Sequence, residues 1–435
     1  MAASLPSQSQ SDSLAIYAEL LATLRQISVH IRLPTPADSS TRISLTDGGQ
    51  RLRVQHGDHT HSLALPAPAS AQSPILLPLT AATLSATRLS ASWKLPLAHE
   101  VAVPHYVHEH QDVPWEARDL QPDAAVRCRA CEAVLVSADT VKTWKDLPSE
   151  NWAEMMEFWH CHKPHVPPQS AGVGVGLGFD KSGDSQKSQD ERLAQRAYGA
   201  NATIAAQKGV GFVDLTSFLF VESDVQTIKF SHSLPSIAPD PLSFTRPPPT
   251  PVICGQCGCR IGSHDAHLAS IALFKWQVTT TSAVQPPSSN TCLAGSILAA
   301  MSRSGYAKSI LLPTPRVISS KAENTPLPIP GPGQDTDRLL YLWIMNPNTT
   351  YSSSEAGEAV SAIRLMFKTV SKAEADKLLD SVSSDVQEVI WPREAIEDAV
   401  RALEKGFSLL PGEARQFQDW KVSLLDKWRR PAQME

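Results

Sequence analysis

Two short stretches decide how this chain is organised: VRCRACEAVLV at residues 126–136 and VICGQCGCRIG at residues 252–262. Each holds a Cys-x2-Cys pair flanked by β-branched residues, which are typical of strands. Such a turn presents two sulfurs on one rigid loop, and zinc prefers four of these soft ligands at tetrahedral angles. The two pairs predict one closed, structural zinc site per chain that joins strands roughly 120 residues apart. Its predicted ligands are Cys128, Cys131, Cys254 and Cys257.

Two other interpretations of these cysteines stay open at the level of sequence. The second pair has two histidines nearby, His264 and His267, and could form a local site with them. Alternatively, the four residues are ordinary buried thiols. Neither site needs Cys259 or Cys292 as a ligand, and we predict that both of these thiols lie in the core.

Composition limits the function classes. The chain has 435 residues, of which 34 are prolines, and a formal net charge of −5. So many prolines disfavour a long helical bundle, and the charge gives no reason to expect a nucleic-acid-binding protein.

No apolar run reaches about 18 residues, and the N-terminus lacks a signal-peptide pattern. We expect no membrane association and a cytoplasmic and nuclear location, where cysteines favour metal binding over disulfides.

The remaining sequence predicts an α+β protein with a β-rich N-terminal part and antiparallel sheets stapled by the zinc site. Short alternating runs such as RISLTD, RLRVQH and RLSASWKLPL recur between residues 42 and 97, separated by turn residues. The predicted organisation is a disordered tail at 1–13, a β-rich domain at 14–150, a central part at 151–312 with a flexible loop at 170–192, a linker at 313–335 and an α+β unit at 336–435.

Local patterns predict several helices. Residues 14–33 begin with a helix-like pattern that passes into a strand at 27–31, and residues 291–303 read as a helix that contains Cys292. In the C-terminal unit, strands at 339–345 and around 359–370 precede helices at about 372–384, 393–406 and 413–428.

The most unusual stretch is EMMEFWHCHKPHVPP at 154–168, where Cys161 lies between His160 and His162. Neighbouring imidazole and ammonium groups favour the thiolate, which is the form that attacks carbonyls or binds zinc. Three interpretations compete: a core cysteine at a helix end, an acceptor thiol for an acyl group, and a thiol that caps the zinc site of another protein. The predicted contact residues are Trp159, His160, Cys161, His162 and Lys163.

Two histidine groups resemble metal sites less closely. His56, His59 and His61 do not reproduce the ligand order of metallo-hydrolases, and exposed strand histidines are common. The group at 105–110 has the same weakness. We expect neither group to bind a metal.

Together these motifs resemble a known family. They are the first Cys-x2-Cys pair, ENWAEMMEFWHCHKP at 150–164, GFVDLTSFLF at 211–220, the second pair ahead of LFKWQV, and WPREAIEDAVRALEKG at 391–406. The combination resembles the HECT-like ubiquitin ligases, also described as ubiquitin-conjugating-enzyme-binding proteins. The resemblance covers nearly all of the chain beyond about residue 15.

The resemblance implies two functions. Members accept ubiquitin from a conjugating enzyme and pass it to substrates, usually marking them for the proteasome. Members also associate with the metallo-β-lactamase-type endonuclease of pre-mRNA 3'-end processing, whose active site the segment matching FWHCHK is thought to enter. By this match the conjugating enzyme would bind around residues 250–262, and Cys161 would approach the zinc ions of the nuclease.

One departure from the HECT pattern affects the chemistry. A conventional HECT lobe carries its acceptor cysteine near its C-terminus, but here no cysteine follows Cys292. If ubiquitin is carried covalently, we expect Cys161 or Cys292 to carry it. Otherwise the protein positions a charged conjugating enzyme without a covalent step, or acts as a non-enzymatic inhibitor or chaperone of the nuclease.

Overall fold

The computed structural model describes residues 14–70, 75–99, 114–147, 205–230, 249–281, 285–314, 338–381 and 384–430. The predicted tail at 1–13, the predicted loop at 170–192 and nearly all of the predicted linker at 313–335 lie outside these residues. In the described part the chain is β-rich, with 23 strands and three α-helices.

The strands are numbered in chain order. They begin with β1 (Ala15–Leu21), β2 (Gln26–Arg32), β3 (Arg42–Thr46), β4 (Arg51–His56), β5 (His59–Ala64), β6 (Ile75–Leu76), β7 (Ser90–Pro96), β8 (Val126–Cys128), β9 (Val134–Val136), β10 (Thr143–Asp146), β11 (Val210–Val213) and β12 (Ser217–Val221). They continue with β13 (Ile228–Phe230), β14 (Thr250–Cys254), β15 (Arg260–Asp265), β16 (Ser270–Phe274), β17 (Val278–Thr280), β18 (Lys308–Thr314), β19 (Arg338–Ser353), β20 (Val360–Ser371), β21 (Val386–Pro392), β22 (Gln416–Phe417) and β23 (Trp420–Asp426).

The largest sheet has nine strands and takes them from both ends of the chain. Seven follow the order β22–β23–β20–β19–β1–β2–β7, while β18 pairs with β19 and β21. The amide of Ile16 donates to Ser354 Oγ at 2.7 Å, although the two residues are 338 positions apart. The predicted N-terminal and C-terminal units therefore share one sheet, which is antiparallel except for the β18–β21 pair.

Three smaller sheets complete the architecture. A seven-stranded sheet has the order β10–β11–β12–β16–β15–β14–β13, a three-stranded sheet the order β17–β8–β9, and a four-stranded sheet the order β5–β4–β3–β6. Apart from the parallel β10–β11 pair, their strands are antiparallel. The two Cys-x2-Cys turns thus belong to different sheets, because one follows β8 and the other follows β14.

The helices are α1 (Ser289–Ser304), α2 (Lys372–Asp380) and α3 (Arg393–Leu409). The Ser288 hydroxyl caps α1 by accepting from the Thr291 amide at 3.1 Å, and Gly305 ends the helix with a left-handed φ of 75°. These three helices confirm the predictions for 291–303 and 393–406 and the first part of 372–384. No described helix is long and apolar enough to cross a membrane.

Two predicted helical stretches are strands instead. The helix-like start at residue 14 is β1, and the helix predicted at 413–428 is the β22–β23 hairpin. In both strands neighbouring apolar residues pack into different clusters: Ile16 on one face of β1 and Tyr17 on the other, and likewise Leu425 and Leu424 in β23. A strand buried on both faces has no polar alternation, so its sequence resembles that of a buried helix.

The core consists of four hydrophobic clusters. The first cluster lies between the N-terminal strands, and the second surrounds the cysteine turns. The third and fourth clusters cover opposite faces of the C-terminal part of the nine-stranded sheet. Trp276 joins the central and C-terminal parts, since it stacks on Phe274 with ring centroids 4.6 Å apart and on Trp391 at 5.1 Å. The cysteine turns are therefore attached to a packed framework.

Candidate metal centre

The first Cys-x2-Cys turn connects β8 to β9. The Cys128 amide donates to the Ala133 carbonyl at 2.9 Å, and the Glu132 amide donates to the Cys128 carbonyl at 2.8 Å. Glu132 has a left-handed φ of 57°, which lets the chain reverse within four residues. The amides of Ala130 and Cys131 point at the Cys128 sulfur and hydrogen-bond to it. This arrangement stabilises a thiolate at Cys128.

The second turn follows β14 and has the same design. Gly258 adopts a φ of 77°, and its amide donates to the Cys254 carbonyl at 2.9 Å. The amides of Gln256 and Cys257 hydrogen-bond to the Cys254 sulfur. Gly255 lies so close to the Thr227 backbone that an added Cβ would be 3.1 Å from its carbonyl oxygen. The Gly255 amide donates to the Thr227 carbonyl at 2.7 Å, so the turn is held against the residue that immediately precedes β13 in the chain.

The structure brings the two turns together. The Sγ atoms of Cys128 and Cys257 are 3.7 Å apart, and those of Cys131 and Cys254 are 3.6 Å apart. All four sulfurs lie within 4.8 Å of one another, a grouping that could hold a metal ion. Tetrahedral zinc with Zn–S bonds of about 2.3 Å needs sulfurs roughly 3.8 Å apart. The spacing of the four sulfurs fits that requirement.

Burial is uneven within this four-cysteine cluster. Cys128 and Cys254 are buried, each 1% exposed, whereas Cys131 and Cys257 are half-buried. Burial raises the pKa of the Cys128 thiol well above its usual value, because a buried thiolate without a counter-charge is poorly solvated. A cation among the four sulfurs would supply that counter-charge and remove the penalty.

Two arginines that the sequence did not single out anchor the turns to later parts of the chain. Arg129 lies between the first two cysteines and donates to the carbonyls of Trp276 at 3.2 Å and Pro287 at 3.0 Å. Arg260, just after the second turn, donates to Thr314 Oγ1 at 2.9 Å and lies 3.9 Å from the Glu394 carboxylate at the start of α3. Only the fold gives these arginines partners, so no local sequence signal marks them.

The other two described cysteines differ from each other. Cys292 in α1 is 1% exposed, which confirms the predicted core position. Burial raises the pKa of its thiol to about 12. The prediction for Cys259 is wrong, because this thiol is exposed. Cys259 immediately follows Gly258, which has a left-handed φ, and it is not one of the four cysteines whose sulfurs cluster.

The histidines near the second turn do not join the cluster. His264 lies 3.4 Å from the Glu222 carboxylate and packs against Phe230 with ring centroids 4.6 Å apart. The alternative local site with His264 and His267 therefore has no support. In the N-terminal group, His56 is buried and bonds to the hydroxyls of Thr35 and Thr41.

The remaining predicted site residues are outside the described part of the chain. They are Trp159, His160, Cys161, His162 and Lys163, and the histidines at 105–110 are outside it as well. The roles predicted for these residues stay predictions.

Comparison with known proteins now identifies the family. A sequence model described as "HECT-like Ubiquitin-conjugating enzyme (E2)-binding" matches residues 19–422. The chain belongs to this family. The resemblance inferred from the motifs is thereby confirmed. All four clustered cysteines lie inside the matched range, and so do α1–α3.

Two curated relatives are similar to this member of the E2-binding family. An uncharacterized protein of Schizosaccharomyces pombe is 23% identical over 332 residues, which cover 73% of this chain and 78% of that protein. An uncharacterized protein of Saccharomyces cerevisiae is 39% identical over 54 residues, which cover 12% of this chain and 16% of that protein. No solved structure matches. The family description indicates a partner, a ubiquitin-conjugating enzyme (E2), and a function connected with ubiquitin conjugation.

Proposed function

We propose that this protein binds a charged ubiquitin-conjugating enzyme and promotes transfer of ubiquitin to protein substrates, which marks them for proteasomal degradation. The observation that carries the proposal is the family match over residues 19–422, which spans both cysteine turns and the C-terminal helices. The proposed E2 surface is the second turn and its flanking strands, residues 250–262. Gln256 and Cys259 are exposed at the tip of this turn, where a partner can reach them.

The metal in this proposal is zinc, with one ion held by Cys128, Cys131, Cys254 and Cys257. The donor set supports zinc, because four thiolates favour a soft, tetrahedral ion and leave no position open for water or substrate. When bound, such an ion supplies charge compensation and rigidity and takes no part in acyl transfer. The amides of the two turns hold the sulfurs in place, and the exposed tip keeps a fixed shape for E2 binding.

Burial decides which thiol could carry ubiquitin. Transfer from E2 needs a thiolate that attacks the thioester carbonyl, with release of the E2 cysteine as the leaving thiolate. Cys292 is unsuitable, because it is 1% exposed and burial raises its thiol pKa to about 12. Of the two carriers that the sequence names, Cys161 and Cys292, this leaves Cys161. The proposal has two forms: a covalent step on Cys161, or transfer directly from E2 to the substrate lysine without a thioester on this chain.

A binding experiment on the full chain tests the E2 surface. We expect Gln256→Arg to weaken E2 binding at least tenfold in biolayer interferometry, because it places a long charged side chain at the proposed contact. Gln55→Arg is the matched control, since Gln55 is exposed on β4. Absence of binding to every member of a panel of conjugating enzymes would refute the proposal, and so would equal affinities of the two variants.

A discharge assay distinguishes the two forms of the transfer step. With a covalent step, incubation with ubiquitin-charged E2 gives a reducible adduct on a non-reducing gel, and Cys161→Ser abolishes it. With direct transfer no adduct forms, but E2 loses its ubiquitin faster in the presence of the chain. If the rate of E2 discharge does not change and no substrate is modified, the ligase activity is ruled out.

A second candidate function rests on Cys161 and its two flanking histidines. We propose that the segment from Trp159 to Lys163 inserts into the zinc site of the pre-mRNA 3'-end endonuclease and inhibits it. A thiol has intrinsic affinity for an open zinc position and would displace the attacking water. The prolines that follow this segment, at 164, 167 and 168, reduce the entropy lost on insertion. Cys161→Ala should then relieve inhibition of the nuclease while the melting temperature stays the same. Unchanged inhibition would exclude this function.

A further inference from the structure

A cavity of about 550 Å³ lies at one end of the nine-stranded sheet, and none of the four clustered cysteines lines it. It forms where the start of β1, the end of β2, the start of β7 and the end of β19 meet the segment that follows α3. Its volume is within the range of about 300–1,000 Å³ that is typical of small-ligand sites. Neither the family description nor the function proposed above assigns a role to it.

Two arginines line this cavity, Arg32 at the end of β2 and Arg415 just before β22. Arg415 is fixed in place: its Nε donates to the Leu410 carbonyl at 2.8 Å, and its Nη2 donates to the Ser408 carbonyl at 2.7 Å. The Arg32 guanidinium forms no hydrogen bond or ion pair with the residues that the structure describes. Its donors are therefore available to a ligand.

The two guanidinium groups repel each other. Burial, and after it the charge of Arg32, lowers the pKa of Arg415 from its usual value. An arginine side chain nevertheless stays protonated in a protein. Two permanent positive charges thus face one concave site, and an anion between them would replace repulsion by attraction.

The rest of the lining suits an organic anion. Ser90 and Ser92 line the cavity, and their hydroxyls can donate to anionic oxygens. Leu84 and Leu409, both half-buried, provide apolar surface that can cover a carbon skeleton. The cavity therefore offers a charged, hydroxyl-lined part together with an apolar part.

Two carboxylates also line the cavity, but both are exposed. Glu355 follows β19, and Glu413 has a side chain that is 78% exposed and lies 3.8 Å from His30 Nδ1. Water and salt screen the repulsion between such exposed carboxylates and a bound anion. The charges of Arg32 and Arg415 are less exposed, so they dominate and make the electrostatic potential of the site positive.

We propose that this cavity binds a phosphate monoester, with the phosphate held between Arg32 and Arg415 and the ester group against the apolar lining. A phosphate monoester carries about −1.5 to −2 charges at pH 7 and three acceptor oxygens, so it can neutralise both guanidinium groups. A single carboxylate would balance only one of them. The ester belongs either to a phosphorylated side chain of a partner peptide or to a free small molecule.

Isothermal titration calorimetry on the full chain tests this inference. The probes are Ac-Ala-phosphoSer-Ala-NH2, the same peptide without phosphate, glycerol 3-phosphate and inorganic phosphate. We expect the phosphorylated peptide or glycerol 3-phosphate to bind at least tenfold more tightly than the unphosphorylated peptide. Tighter binding of the peptide identifies a phosphorylated partner, whereas equal or tighter binding of glycerol 3-phosphate identifies a free ester.

The substitution that tests the site is Arg32→Ala, because Arg415 also holds the end of α3 and its loss could unfold the chain. Arg32→Ala should weaken binding of the phosphate ester at least tenfold, and Arg32→Lys should restore part of it. Arg53→Ala is the matched control, since Arg53 is exposed on β4 and does not line the cavity. The proposal fails if Arg32→Ala binds like the unmodified chain, if both peptides bind alike, or if inorganic phosphate binds as tightly as the esters.

Discussion

The four-cysteine cluster and the nine-stranded sheet both join distant parts of the chain, but by different chemistry. In the cluster, the turn after β8 meets the turn after β14 with four sulfurs within 4.8 Å of one another, a grouping that could hold a metal ion. In the sheet, β1 pairs with β19 through backbone hydrogen bonds, with hydrophobic clusters on both faces. A buried ion pair between Glu19 and Arg364 adds to this contact, with N–O distances of 3.0 and 2.9 Å.

The difference concerns how stability is distributed. In the proposed zinc site, much of the stability depends on one ion, because loss of one ligand removes most of the free energy of binding that ion. In the sheet it is spread over many contacts, and each substitution costs only its own share. Substitutions in the two regions should therefore differ in size and in their response to metal.

The largest effect is expected from Cys128→Ser. Structural zinc contributes about 10–16 kcal/mol in small zinc peptides, which is comparable with the whole free energy of unfolding of a typical domain, about 5–15 kcal/mol. The unsubstituted protein should contain about one zinc per chain by elemental analysis, and the variant should lose the metal and its cooperative thermal transition. A metal-free protein with an unchanged melting temperature would contradict the zinc site.

The next effect is expected from Arg364→Ala in the sheet. It leaves the Glu19 carboxylate, whose side chain is 6% exposed, without its charged partner and with only the Tyr17 hydroxyl as a donor at 2.8 Å. Breaking a buried pair in this way costs roughly 3–5 kcal/mol, and Arg364 is itself 23% exposed, which favours the lower end. Urea unfolding measures the loss. The control is Lys372→Ala, which removes an exposed pair with Asp376 worth about 0.5 kcal/mol or less. Equal losses would show that burial of the Glu19 pair has no energetic consequence.

A smaller, pH-dependent effect is expected at Lys275, between the two regions. This side chain is fully buried and donates to the carbonyls of Pro114 and Leu215. Burial lowers its pKa to about 8, against roughly 10.4 in an unfolded chain. The charged form is therefore costly in the folded state below pH 8, and this cost disappears as the pH rises towards 10.4. Lys275 should make the free energy of unfolding rise by roughly 3 kcal/mol over that interval.

The comparison of Lys275→Met with the unsubstituted protein isolates this contribution. Urea unfolding at pH 7 to 10 should show that the unsubstituted protein gains stability relative to the variant as the pH rises. Lys94→Met, at an exposed position on β7, is the control. Parallel pH curves for the unsubstituted protein and Lys275→Met would show that the lysine does not lose its proton in the folded state.

The smallest effects are expected at the two cysteines outside the cluster. Cys292→Ala removes a buried sulfur and should cost about 1 kcal/mol, whereas Cys259→Ser changes an exposed thiol and should stay within about 0.5 kcal/mol. In the folded protein, an alkylating reagent followed by mass spectrometry should label Cys259 and leave Cys292 unmodified. Labelling of Cys292 at a rate similar to Cys259 would contradict the buried position.

The candidate site was predictable from sequence to the extent that its chemistry is local. A Cys-x2-Cys turn fixes two sulfurs by itself, and there are only two such turns in the sequence, so spacing favours the four-cysteine set over the alternatives. Cys259 shows the limit of this approach. It lies two positions after Cys257, yet the fold leaves its thiol exposed and outside the cluster.

The sheet was less predictable, because its contacts join residues that are far apart in the chain. In β2 the alternation of buried Ile27, Val29 and Ile31 with more polar residues marked a strand. In β1 and β23 both faces are buried, and the apolar pattern of these segments wrongly predicts a helix. Pairing with β19 and β20 supplies the backbone hydrogen bonds that make these segments strands, and local propensity contains no information about that pairing.

The sequence by itself determined the family, the β-rich class and the four sulfurs that meet, because these depend on residue types and short spacings. Tertiary structure alone decided that both ends of the chain share one sheet, that Arg129 and Arg260 anchor the cysteine turns, and that Arg32 and Arg415 line the same cavity. The physical reason is the same in each case: the energies involved arise between residues that only the complete fold brings within contact distance.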